Sequence, residues 1–314
     1  MRAVNDISFS LDRGRTLGLV GESGSGKSVA SLTMLGLTRS PNTDFAGEVL
    51  LDGVDVLNLP ETALRDIRGR RVAMVFQDPL SSLHPMHRVG WQVVEAIQTH
   101  ERVSMKAARA RAVDLIRTVG IPSPESRVDA YPHELSGGMR QRVMIAMALA
   151  LRPEILIADE PTSALDVTVQ AQILQLLSRL QEETGMALIL VSHDLGVIAE
   201  HTDEVAVMYA GRIVEHGPGD VVIGRPLHPY TCGLLGSIPH VDGPRTTRLT
   251  PIPGSPPSAV RLPEGCAFHP RCVLAQRSCE LEVPTLELVE PGHRIACPVV
   301  AHDRSLALPA LPAS

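Results

Sequence analysis

Aromatic residues make up only 3% of this 314-residue chain, with a single tryptophan, so platforms for stacking nucleic-acid bases have little to be built from. Positive charge is not in excess either. Against 35 Asp and Glu stand 29 Lys and Arg, a formal charge of -6, which argues against nucleic acid as the main partner. No stretch approaches the roughly 18 uncharged apolar residues that a membrane span needs. The N-terminal Met1-Arg2-Ala3-Val4-Asn5-Asp6 has no signal-peptide core. These absences point to a cytosolic protein that meets a membrane only through a partner. No internal repeat is evident. What the chain does have is 44% apolar residues, enough for a core, and 25 glycines and 25 prolines, which imply many turns. The length allows one large domain plus an appendage.

Gly21-Glu22-Ser23-Gly24-Ser25-Gly26-Lys27-Ser28 fits the phosphate-cradling pattern G-x-x-x-x-G-K-[ST]. Glycines let the backbone bend around a polyphosphate and present N–H groups to it. Lys27 neutralises charge, and Ser28 offers a hydroxyl to Mg2+. The context agrees: Thr16 to Val20 reads as a short buried strand, and Val29 to Leu37 as the helix whose N-terminus faces the phosphates. A second element, Ile155-Leu156-Ile157-Ala158-Asp159-Glu160, is an apolar strand ending in two carboxylates. Alone, that pattern is more often a solvated turn. Beside a phosphate loop, Asp159 can hold the metal and Glu160 can orient or deprotonate the attacking water.

Leu135-Ser136-Gly137-Gly138-Met139-Arg140-Gln141-Arg142 reads as a helix capped by Ser136, with Gly137 and Gly138 exposing orphan N–H groups. Standing alone it would be a capped helix and nothing more. Together with the other two motifs it resembles the ATP-binding cassette ATPases. That resemblance implies that Ser136, Gly137 and Gly138 close over the γ-phosphate held by a second ATPase subunit, head to tail. It implies nucleotide contacts from Gly21 through Ser28 and Val29, and Mg2+ held by Ser28, Gln77 and Asp159. Glu160 is then the general base, with Gln77 sensing metal and water and His193 contacting the γ-phosphate. Gln77 could also be an ordinary strand terminus, and a lone histidine after a strand is usually structural. Ser163-Ala164-Leu165-Asp166 resembles the loop joining the two subunits, although Asp166 could equally cap the helix Val167 to Glu183. Related cassettes have a longer lead with an aromatic that stacks on adenine. This chain enters directly at Val4 to Leu11, read as a strand, and neither Phe9 nor any earlier residue fits that role. Either the chain starts at an internal methionine or adenine is held differently.

The fold class is therefore α/β. Strands at Thr16 to Val20, Val72 to Phe76, Ile155 to Ala158 and Met186 to Val191 alternate with helices and predict a parallel sheet. Between Pro79 and Leu151 the pattern is helical, with Val89 to His100, Met105 to Gly120 and the signature helix forming a helical subdomain. Its entry, Gln77 to Pro85, resembles the coupling-groove lining of peptide importers, with His84 where Asn is more usual. Val205 to Tyr209 and Arg212 to Glu215, joined by Ala210-Gly211, predict a closing hairpin. The expected domains are the nucleotide-binding domain at 1–226 with its helical part at 79–151, a small cysteine-rich C-terminal extension at 227–300, and a disordered tail at 301–314.

His228-Pro229-Tyr230-Thr231 and Leu234 to Pro239 resemble the C-terminal extension of dipeptide and oligopeptide importer ATPases. Pro251, Pro253, Pro256, Pro257 and Pro263 make the next stretch an extended linker. Cys266, Cys272, Cys279 and Cys297 follow. Clustered cysteines in a cytosolic protein suggest a metal more than disulfides, and their spacing fits neither the common zinc ribbon nor the bacterial ferredoxin run. Gly265 to Cys272 resembles the segment of peptide-importer ATPases that carries a [4Fe-4S] cluster. Zn2+ and free thiols remain open, with His269 and His293 as possible substitute ligands and Cys232 as a small buried apolar residue. No residue links this cluster to the nucleotide motifs.

The resemblance implies an ATP-hydrolysing subunit of a peptide importer at the cytoplasmic face of the inner membrane. Its partners would be two permease subunits, a second and nonidentical ATPase, and an extracytoplasmic solute-binding protein. A nickel importer is a close rival. A redox-regulated ATP-binding scaffold is opposed by intact Glu160 and His193. A soluble cassette ATPase for DNA repair or translation is opposed by the single cassette, the negative charge and the lack of a coiled-coil insertion.

Overall fold

A computed structural model describes residues 1–163, 165–237 and 251–307. Along the chain, β1 (Thr16–Val20) leads through the glycine loop into α1 (Lys27–Met34). A small ladder of β2 (Leu50–Leu51) and β3 (Val54–Asp55) follows, then α2 (Glu61–Ile67) and β4 (Val72–Val75). Helices come next: α3 (Pro79–Ser82), α4 (Val89–His100), α5 (Met105–Thr118), α6 (Pro124–Arg127) and α7 (Gly137–Ala148). Strand β5 (Ile155–Asp159), helix α8 (Val167–Thr184), strand β6 (Ala187–Ser192) and helix α9 (Leu195–Ala199) restore the alternation. The remainder holds β7 (Glu204–Tyr209), β8 (Arg212–Pro218), α10 (Gly219–Gly224), α11 (Pro229–Gly236), α12 (Arg277–Leu281), β9 (Glu287–Glu290), β10 (His293–Ile295) and α13 (Pro298–His302).

The described residues fall into two units. One contains Met1–Leu11, Thr16–Ala30 and the chain from Leu190 onward. In it β1 pairs parallel to β7, with Leu17 opposite Glu204 and Val20 opposite Val207. Beyond β7 the pairing turns antiparallel, first with β8, then from β8 to β10 and from β10 to β9. The sheet is therefore mixed, not parallel as the alternation suggested, because the closing hairpin is real and the extension adds two further strands to its edge. Ala210 and Gly211 make the hairpin turn with φ of 49° and 80°, the left-handed pair that matches strand twist. Every residue of β1 is buried, which is why it reads as an unbroken apolar run. The described residues from 227 onward cluster with this unit.

The second unit contains Asp12–Arg15 and Ser31–Ile189. Here β4 pairs parallel to β5, from Val72 opposite Ile155 to Val75 opposite Ala158. Glu154, at the foot of β5, accepts from Arg71 Nε at 2.7 Å and pairs with Arg13, while Asp52 of the β2–β3 turn accepts from Arg71 Nη2 at 2.5 Å. The helical segment forms at nearly the expected bounds. Ser104 caps α5 and Ser136 caps α7, each accepting from the backbone N–H three residues on. Val143, Met144, Ile145 and Ala146 are all buried, four successive residues that take this part of the helix right round, so it is enclosed on every side.

Three expectations fail. Val4 to Leu11 forms no strand. Its backbone instead anchors through Asn5 N to Gly211 O and turns at Asp6, whose φ is 68°. Where a disordered tail was expected from Ala301, α13 runs to His302 and a 3-10 turn covers Arg304–Leu306; the rest of that tail, 308–314, lies outside the described residues, as do Ala164, Ile238 and Pro239. Cys232 is half-buried, not fully so.

Candidate active site

The phosphate loop lies in the first unit. Gly21 and Gly26 have φ of 157° and 104°. A Cβ on Gly26 would stand 2.3 Å from Ala3 O, and one on Gly21 would stand 2.2 Å from Met208 O. Glycine is therefore required at Gly26 on both counts, conformation and space. Lys27 is 5% exposed and folds back over the loop, donating from Nζ to Gly21 O at 2.6 Å and Glu22 O at 3.1 Å. The loop carbonyls thus hold the ammonium against the loop, which is where a lysine facing bound phosphates would stand. Ser28 and Val29 follow in the first turn of α1. His193, exposed, follows β6 directly in the same unit.

Glu22 is held from far along the chain. Its backbone N–H donates to the Tyr230 hydroxyl at 2.8 Å, and its carboxylate receives Arg271 Nη1 and Nη2 at 2.6 and 3.0 Å. This corrects the expectation that no residue joins the cysteine segment to the nucleotide motifs. A fork between sites so distant in sequence leaves no local pattern by which it could have been found.

In the second unit, Asp159 ends β5 and is 5% exposed. The chain then turns through Glu160 at a φ of 45°, a left-handed conformation uncommon for a glutamate. Gln77 Nε2 donates to Glu160 Oε2 at 2.8 Å, and Ser163 Oγ donates to Glu160 O at 3.0 Å. The strand ends β4 and β5 thus deliver Gln77 and Glu160 as a hydrogen-bonded pair. The bond spends the Gln77 amide N–H and leaves Oε1 as an acceptor for a cation. The Asp159 carboxylate, at the end of β5 in the same unit, is a further hard-oxygen donor of the kind Mg2+ takes. Gly137 and Gly138 open α7 below the Ser136 cap, whose Oγ accepts from Met139 N at 3.3 Å. A Cβ on Gly138 would meet Val169 Cγ1 at 2.6 Å. Asp166 caps α8, accepting from Val169 N at 3.0 Å.

Cys266, Cys272, Cys279 and Cys297 all line one small cavity with His228, His269 and Phe268. Burial pushes the Cys266, Cys272 and Cys297 thiols up, Cys272 to about 11, and neighbouring cysteines add to the shift. Four thiols on one cavity match the ligand count of a thiolate-held centre. Even so, no three His, Cys, Asp or Glu side chains among the described residues stand close enough to share an ion. His293 does not reach the cavity: it is 1% exposed and bonds Glu215 Oε1 through Nε2 at 2.8 Å. Its candidacy as a ligand is withdrawn. His228, named in the sequence only as part of the motif His228-Pro229-Tyr230-Thr231, lines the cavity instead, held neutral by burial that takes its pKa down to about 3.

Comparison with known proteins decides the family. Residues 4–163 match the ABC transporter model, and residues 214–279 match the model for the oligopeptide/dipeptide transporter C-terminal region. The chain belongs to the ABC transporter family. Like other ABC transporter ATP-binding proteins it is an ATPase coupled to transport. The dipeptide transport ATP-binding protein DppD of Escherichia coli (strain K12) is 48% identical over 296 residues, covering 94% of this chain and 90% of that protein. The oligopeptide transport ATP-binding protein OppD of Salmonella typhimurium is 49% identical over 295 residues, covering 94% and 87%. Among solved structures, the dimeric post-hydrolysis ATP-binding cassette MJ0796 bound to ADP and Pi matches with a TM-score of 0.62 at 29% identity, covering 69% of this chain and 90% of that one. Within this ABC ATPase no described helix is long and apolar enough to cross a membrane.

Proposed function

We propose that this chain powers the import of dipeptides or oligopeptides as a peripheral subunit at the cytoplasmic face of the inner membrane. Similarity along 94% of its length to a dipeptide transport subunit, extension included, carries the reading and favours peptides over nickel. In this reading Gly21 through Val29 bind the phosphates of ATP, with Lys27 supplying positive charge. Ser28, Gln77 and Asp159 would hold Mg2+, which when bound would supply positive charge against that developing on the phosphates. Glu160 accepts the proton of the attacking water, and its bond from Gln77 orients the carboxylate for that task. His193 steadies the γ-phosphate. Ser136, Gly137 and Gly138 serve the site of a second ATPase, nonidentical to this one. The dimeric form of the MJ0796 cassette supports pairing of this chain with a second cassette.

Two permease subunits complete the machine, fed by an extracytoplasmic solute-binding protein. The segment after Gln77 suits a permease contact. Leu80 and Met86 are 64% and 75% exposed, while buried Gln92 clamps the loop beneath them through His84 N, His84 O and His87 O at 2.9 to 3.1 Å. We further assign the nucleotide-binding domain to 1–226, its helical part to 79–151 and the extension to 227–300. Cys266, Cys272, Cys279 and Cys297 would hold a [4Fe-4S] cluster, with Zn2+ as the rival; either would tie the segment's separate pieces together. The decisive experiment reconstitutes the chain with its permeases, paired ATPase and binding protein in proteoliposomes. ATP-dependent uptake of a labelled dipeptide is expected, and uptake of nickel but no peptide would overturn the substrate.

A further inference from the structure

The grip on Glu22 has a chemical logic. Its carboxylate projects from the second residue of a loop built to receive an anion, so an uncompensated charge there would oppose the polyphosphate. Arg271 supplies the compensation. The guanidinium is 5% exposed and forks both carboxylate oxygens, which fixes direction as well as charge. Its own position is overdetermined. Nε donates to Pro253 O at 2.8 Å, Nη1 also reaches the Tyr209 hydroxyl at 3.3 Å, and the Tyr209 and Phe268 rings lie 5.8 and 5.9 Å from Cζ. The Tyr230 hydroxyl accepts a hydrogen bond from the Glu22 amide N–H, so both ends of Glu22 are held from outside the loop. Glu22 in turn offers its carbonyl to Lys27 Nζ and to Ser25 N. Placing Glu22 therefore places the lysine that meets the phosphates.

On the cysteine side the connection is equally short. Arg271 closes the 3-10 turn His269–Arg271 and is followed at once by Cys272. His269 N donates to Cys266 O at 2.9 Å, and Cys266 N donates to Cys279 O at 2.8 Å. The turn that aims the guanidinium is thus framed by three of the four cysteines.

We propose that Arg271 is a positioning residue for the phosphate loop, and that an ordered cysteine segment is in this way a condition of tight nucleotide binding. The proposal rests on reading Gly21 to Ser28 as the ATP site, which the unmutated chain tests by itself: if it fails to bind MgADP, that reading falls, whatever Arg271 does. With the full chain, calorimetry of MgADP and of pyrophosphate is compared for Arg271→Gln, Glu22→Gln and the double variant. A charge-assisted bidentate contact of this kind is worth roughly ten- to a hundredfold in an equilibrium constant. We accordingly expect Arg271→Gln to weaken both ligands by roughly ten- to a hundredfold. Arg271→Lys, which keeps charge but not the fork, should recover part of that loss. The double variant should lose no more than the worse single variant, since both changes break one contact. Affinity unchanged in Arg271→Gln, or losses that add in the double variant, would overturn the proposal. Should Arg271→Gln fail to fold, Tyr230→Phe decides, because it keeps the buried ring and removes only the hydroxyl that accepts from Glu22. A several-fold loss of affinity upholds the proposal, and an unchanged affinity overturns it.

Discussion

At the phosphate loop the backbone makes the site, whereas in the cysteine segment side chains must make it. Gly21 and Gly26 have φ of 157° and 104°, and the tight approach of Met208 O and Ala3 O leaves no room there for a Cβ. Cys266, Cys272, Cys279 and Cys297 come from four places in the extension and meet only across a cavity. A backbone-made site needs one or two exact residues and tolerates what surrounds them. A side-chain-made site depends on every piece that carries a ligand. The strand end at Glu160, proposed above as the catalytic base, lies between these extremes, with a left-handed backbone at Glu160 and a side-chain bond from Gln77.

The largest effect is expected where a single side chain carries the chemistry. Glu160→Gln keeps shape and hydrogen bonding but removes the base, and should cut hydrolysis by about 100- to 10,000-fold while ATP still binds. Single-turnover hydrolysis in the assembled transporter measures it, with the paired ATPase inactivated in the same way so that its site adds nothing. Hydrolysis at the unmutated rate would remove Glu160 from its role.

Next comes the backbone-made site. Gly26→Ala changes no charge and deletes no contact. It nevertheless forces a Cβ to 2.3 Å from Ala3 O at a φ of 104°. Strain of this sort costs about 1–3 kcal/mol, so MgADP affinity should fall by roughly 5- to 150-fold in calorimetry. Gly24→Ala is the control, because a Cβ there meets nothing within 4 Å even though φ is 80°. If the two variants lose equally, space at Gly26 is not what shapes the loop, and the contrast with the cysteine segment weakens.

The same contrast explains what could be read from the sequence. β1 spans Thr16–Val20, where its apolar run and the following glycines place it, and α4 spans Val89–His100 as its pattern required. Ser136 and Asp166 cap their helices because capping is a local bargain between a side chain and a nearby amide. Arg271 against Glu22, Glu215 against His293 and the β8–β10 pairing could not be read. They join residues remote in sequence, and short segments such as β9, β10 and α13 are held by that packing more than by their own pattern. His293 illustrates the trap, since a histidine near cysteines in sequence is a buried partner of a glutamate in space.

The smallest effect on chemistry, and the sharpest test of the contrast, is Cys272→Ser. If the four cysteines hold a common metal centre, losing one ligand should release it, so anaerobically purified variant should lose iron and sulfide, or zinc, together with any visible absorption. Stoichiometric zinc without iron in the unmutated chain would replace the cluster with Zn2+. The sequence suggested that such a loss would loosen the extension and weaken assembly before it touched catalysis. The Arg271 fork changes the order of events: Cys272 follows Arg271 directly, so loosening this segment should reach Glu22 before it reaches the permeases. MgADP affinity of the variant should then fall several-fold, while single-turnover hydrolysis at saturating ATP stays within about twofold, the signature of lost positioning with chemistry intact. Metal loss with nucleotide affinity unchanged would show that the 3-10 turn keeps its shape without the centre, and would confine the cysteines to stabilising the extension.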